Sequence, residues 1–169
     1  MILTKIRATK MYTFQRLDAH THTIIDVHDE KLDALRCALG GMDAFSSDPK
    51  DVFGVYGLFD TFTMHTASVG HSARVIDRIR KHAAGGSHPG QATRLRTKMG
   101  ISKEEYAMRI IPFVVLQHET LNRKVVSRVE CTLIGYLNPK YNAVKSSTTI
   151  DEVVEDINAV REYIRMNGK

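Results

Sequence analysis

The chain contains no tryptophan, only two cysteines and four prolines, and 7% aromatic residues in a length of 169. Each scarcity excludes something. Two cysteines cannot make a framework of several disulfides, and Cys37 and Cys131 lack metal-ligand spacing, so both are expected as buried thiols in a reducing compartment. No apolar run approaches the roughly 20 residues that cross a bilayer, and no membrane segment is expected. The first seven residues are basic but are not followed by a long apolar region and a small-residue cleavage site, which argues against a secretory leader. A cytoplasmic setting, in a bacterium or a phage-infected cell, is the expectation. With 43% apolar and 25% charged residues the composition is that of a globular domain, and the length suits one well-buried domain over residues 1–169 rather than two.

Positive charge is what the chain has in excess. The net charge is +5 and the pI about 9.3. Arg74, Arg78, Arg80, Lys81, Arg94, Arg96 and Lys98 fall in one short window, whereas Asp151, Glu152, Glu155 and Asp156 acidify the C-terminal segment. Clustered Lys and Arg release counterions on meeting phosphates, so a polyanion is the expected partner.

Short alternating patterns up to residue 27 predict one or two strands, and residues 29–39 a helix with Leu32, Leu35, Ala38 and Leu39 on one stripe. Residues 52–59 read as a buried, glycine-punctuated strand, residues 60–63 as a turn and residues 64–69 as an antiparallel partner. Ser72 can cap the next helix, in which Val75, Ile76, Ile79 and Ala83 form the buried stripe and Arg74, Arg78, Lys81 and His82 a basic face. Residues 83–90 connect, Ser102 caps a short helix, and residues 109–117 read as a strand whose Pro112 places it at an edge or bulge. Ser127 to Glu130 matches a capping box at the start of a helix. Glu130 also sits on the stripe of Ile134 and Leu137, where a carboxylate requires a partner. Thr149 opens a last amphipathic helix with Val153, Ile157, Val160 and Ile164 inward.

His20 and His22, two apart on a strand, face the same way and resemble the metal-binding strand of amidohydrolases. That chemistry needs a barrel of typically about 250 residues, which this chain is too short to form. These histidines and His28 are therefore expected to be exposed or locally bonded.

Taken in order, Gly54-Val55-Tyr56, Ser68-Val69-Gly70, Arg78, Glu130 and Asn142 resemble the signature of the GIY-YIG nuclease superfamily, over about residues 52–142. The resemblance implies an α+β fold, a small three-stranded antiparallel sheet flanked by helices, here with an N-terminal extension (1–51) and a C-terminal helix (143–169). It also implies hydrolysis of phosphodiesters in double-stranded DNA with a single Mg²⁺ or Mn²⁺. By that resemblance Glu130 is the metal ligand, Arg78 the clamp on the scissile phosphate, Tyr56 the hydroxyl that activates or orients water, and Asn142 a stabiliser of the site. A carboxylate is a hard ligand suited to Mg²⁺, and Arg offers a fork matched to phosphate.

The second triplet departs from the family, because Ser68 stands where it carries tyrosine. Some restriction enzymes of the family also replace this tyrosine and place a histidine after the glycine, as His71 does here, so His71 is a candidate to assist as a general base or to hold Tyr56. Arg74, Lys81, His82, Arg94, Arg96 and Lys98 are the expected DNA contacts. The short segment after Asn142 leaves no room for a large recognition domain, which favours a small restriction-type or phage-type enzyme, with a homodimer presenting two sites to two strands. A catalytically inactive DNA-binding module of the same fold is the alternative, supported by Ser68 and the basic window.

Overall fold

Gly54–Asp60 is buried along its whole length, as a strand with both faces covered must be. The computed structural model describes residues 15–17, 24–26, 30–39, 51–83, 85, 90–143 and 146–167. In chain order the elements are β1 (Gln15–Leu17), β2 (Ile24–Asp26), α1 (Glu30–Ala38), β3 (Gly54–Asp60), β4 (His65–Ser72), α2 (Val75–Ala83), α3 (Gln91–Met99), α4 (Lys103–Arg109), β5 (Ile110–Gln117), α5 (Arg123–Leu137) and α6 (Ile150–Asn167). The fold is α+β: β4, β3 and β5 form an antiparallel sheet in that order, with β3 in the middle, and helices flank it. A separate antiparallel pair, β1 with β2, sets Gln15 opposite Asp26.

Alternation along β3 sorts its side chains onto two cores. Val55 and Phe59 join Val69, Phe113 and the inward faces of α1, α5 and α6. Tyr56 and Leu58 join Val114, Val75 and Ile76 of α2, Leu95 of α3 and Tyr106 of α4. The sheet is thus a middle layer, and β4 is an edge reachable from both sides. Pro112 lies in β5, the other edge strand, opposite Leu58, where its missing N–H disturbs no second ladder.

The β3–β4 turn is tied at its base. Asp60 Oδ1 accepts from the Phe62 N–H, and both Asp60 oxygens accept from Arg109 at 2.8 Å, while the guanidinium lies 4.5 Å over the Phe62 ring. Burial alone would raise the Asp60 pKa; the Arg109 hydrogen bonds outweigh it and hold the carboxyl below its usual range.

Three local expectations need correction. Cys37 and Cys131 are exposed, because each falls on the solvent side of its helix. Ser127 is inside α5, not at its start: the cap is Asn122, whose Oδ1 accepts from Val125 N–H, so the capping-box pattern is a coincidence of residue types. Ser72 ends β4 and bonds Arg74 N–H, but the first turn of α2 is capped mainly by Asp51, whose carboxylate accepts from Ile76 and Asp77 N–H at 2.7 and 3.0 Å. A cap supplied from 25 residues upstream has no local signature. The final helix agrees with its reading: Thr149 accepts from Glu152 N–H, and Val153, Ile157, Val160 and Ile164 are buried. No described helix is long and apolar enough to cross a membrane.

Candidate active site

Tyr56 is the residue the two triplets are built around. Register sets it opposite Gly70, and a methyl group added at Gly70 would stand 2.7 Å from the tyrosine hydroxyl oxygen. The phenol therefore crosses β4 where there is no side chain, which is the steric reason for a glycine closing the second triplet. Gly57 answers the same need on the other side, since a Cβ there would meet the Phe113 ring at 2.3 Å. Tyr56 is 2% exposed, and Arg78 from α2 donates a hydrogen bond to its hydroxyl. Burial raises the Tyr56 pKa; the Arg78 hydrogen bond and charge oppose this, nearby Glu130 adds to it, and the net direction is upward. A phenol held in its protonated form orients a neighbour rather than accepting its proton.

On the opposite face of the sheet, His71 follows Gly70 and points to α5. Its Nδ1 lies 2.5 Å from Glu130 Oε2. An ionised carboxylate only accepts, so Nδ1 carries the shared proton and Nε2 is left to accept another. Asn142 clips the edge between the two faces: its Oδ1 accepts from Val69 N–H at 2.8 Å and its Nδ2 donates to Val69 C=O at 3.1 Å, as a neighbouring strand would. Backbone at Tyr141 adds a third rung, donating to Ala67 C=O at 3.0 Å.

These groups meet in a cleft of about 780 Å³ at the β4 edge. His71, Arg78, Glu130 and Asn142 line it, as do Ser68, Arg74, Arg94 and Lys98, while Tyr56 lies behind Gly70. Five basic side chains, the fifth being Arg123, face two acidic ones, Asp77 and Glu130. Lys81 and Arg96 do not line it, and Lys81 pairs with Asp77 at 3.0 Å. His20, His22 and His28 lie outside the described residues.

Among the described residues, no three His, Cys, Asp or Glu side chains group to hold a metal. Glu130 nevertheless fits the implied ion: it is a cleft carboxylate with one oxygen engaged by His71, beside arginines suited to phosphate. Mg²⁺ keeps several waters and takes one or two carboxylates plus substrate phosphates rather than an all-protein cage.

His82 corrects the expected DNA-contact set. It is 1% exposed, shares a 2.7 Å hydrogen bond between Nδ1 and the Tyr106 hydroxyl, and stands 5.4 Å from the Tyr56 ring, centroid to centroid. It lies seven residues after buried Val75 and eight after exposed Arg74, a boundary position that periodicity assigns to either face. Burial first, and Arg78 second, push its pKa down to about 4. The unfolded value is about 6.5, so stability from neutral His82 is complete above that pH and lost as pH falls toward 4, by on the order of 3 kcal/mol. Urea denaturation at pH 7 and pH 4.5 is expected to show a larger acid loss in the wild type than in His82→Gln; equal losses would remove His82 as the cause.

Comparison with known proteins gives no match to a family model, a curated protein or a solved structure. The site thus stands on its geometry: an aromatic hydroxyl, a histidine–carboxylate pair and a basic rim at one sheet edge, a constellation suited to phosphodiester chemistry.

Proposed function

We propose that this chain is a metal-dependent phosphodiesterase. More particularly, we read it as an endonuclease of the GIY-YIG type acting on double-stranded DNA, with Mg²⁺ or Mn²⁺ at Glu130. The observation that carries the reading is convergence: Tyr56, His71, Arg78 and Glu130 reach one edge of the sheet from β3, β4, α2 and α5. When bound, the metal supplies charge neutralisation at the phosphate and leaving oxygen. The chain's own residues do the rest. Arg78 clamps a nonbridging phosphate oxygen and holds the Tyr56 hydroxyl beside it. His71 Nε2 takes the proton of an attacking water, and Glu130 steadies the resulting imidazolium through Nδ1. Arg74, Arg94 and Lys98 hold flanking phosphates.

The test is nicking of a supercoiled plasmid with Mg²⁺, which the wild type is expected to show and chelator to abolish. A second reading, a DNA-binding module without activity, is favoured by Ser68, which lines the cleft where the family carries tyrosine. Persistent binding with no nicking at any protein concentration would select it.

A further inference from the structure

Arg123 belongs to no motif, yet its side chain lines the same cleft as Glu130. It opens α5, seven residues before Glu130, so both project from one face of the helix about 10 Å apart along its axis. Its position is locally unfavourable. The first turn of α5 holds Arg123 and Lys124 and no acidic residue, which sets two cations at the positive end of the helix dipole, where they are unfavourable. An anion arriving there is attracted by the guanidinium and the helix end together.

Opposite charge placement completes the argument. Leu95 fixes α3 to the core on one face of the sheet, and Val126 and Val129 fix α5 to the other. Arg94 and Lys98 therefore approach the cleft from the same face as Arg78, and Arg123 from the face that carries Glu130. A lone phosphate needs only the centre; cations on both flanks suit a continuous polynucleotide. Along the axis of B-form DNA, 10 Å is about three base steps.

We propose that Arg123 is a substrate-binding residue that grips a backbone phosphate within about three nucleotides of the scissile one, on the side away from Arg94 and Lys98. The substrate is then a strand continuing in both directions, which makes cleavage internal rather than terminal. This inference rests on the nuclease reading, so its test measures binding without cutting. Fluorescence anisotropy of a labelled 20-base-pair duplex in EDTA is followed from low to moderate salt, for wild type, Arg123→Ala and Lys124→Ala. Lys124 is exposed, carries the same charge on the same turn, and does not line the cleft.

Arg123→Ala is expected to weaken binding several-fold and to reduce the magnitude of the salt slope by about 1, with Lys124→Ala close to wild type. Equal effects of the two variants, or an unchanged slope in Arg123→Ala, would overturn the proposal while leaving the nuclease reading intact. Loss of plasmid nicking with a selective Arg123 effect retained would do the reverse, removing the enzyme and keeping the grip. Failure of the wild type to bind DNA would end both.

Discussion

Glu130→Ala is expected to lower the rate of Mg²⁺-dependent plasmid nicking at least about 10³-fold, equivalent to about 4 kcal/mol of transition-state stabilisation. The size follows from two losses at one atom group. On the proposed reading the carboxylate is the cleft's ligand for the metal, and it is also the group that meets His71 through a 2.5 Å hydrogen bond. His71→Ala removes only the second contribution and is expected to cost less, on the order of 10²-fold. Both variants should retain the far-UV circular dichroism of the wild type, since Glu130 is a half-buried helix residue rather than part of either core. Nicking by Glu130→Ala within tenfold of the wild type would refute the assignment of the site. An equal loss in the two variants would mean that Glu130 acts through His71 alone, and Mn²⁺ titration of binding would then show no difference between wild type and Glu130→Ala.

Asp60→Ala is expected to have the largest effect on stability, about 3 kcal/mol by urea denaturation. The Asp60 side chain is 4% exposed and that of Arg109 17%, so truncating the carboxylate leaves a guanidinium largely out of water with its two charge-assisted bonds gone. It also frees the Phe62 N–H at the β3–β4 turn. Replacing both partners, as Asp60→Leu with Arg109→Met, removes the stranded charge and is expected to recover most of the loss. A loss below about 1 kcal/mol in the single variant would show the pair to be no more than a surface ion pair. Activity at a temperature where the variant is folded should be preserved, because Asp60 lies four residues along β3 from Tyr56, about 13 Å away.

These two residues also mark how far the sequence could be read. Asp60 was legible as a turn residue and Glu130 as a carboxylate needing a partner, but neither partner could be named. Arg109 ends a helix 49 residues further on, and His71 lies 59 residues before Glu130 on the sheet's edge. Periodicity alone puts His82 on the basic face because an α-helical period leaves a residue at its position between two stripes, whereas Tyr106 packing over it makes it buried. Arg123 carried no signal at all beyond its charge.

What the sequence by itself determined was the local grammar. It specified glycine-broken strands that must be buried, helices with their apolar stripes, the Ser102 and Thr149 caps, and a basic window. Each follows from backbone sterics and side-chain periodicity over a few residues. Only the tertiary structure decided that the two helices supplying Arg78 and Glu130 pack on opposite faces of one sheet and meet around β4. Strand order makes β4 an edge, Gly70 leaves space there for Tyr56, and Asn142 fastens the edge between them. The reason is that a site assembled across an edge depends on which faces are covered, and that is set by how the whole core closes rather than by any segment's own residues.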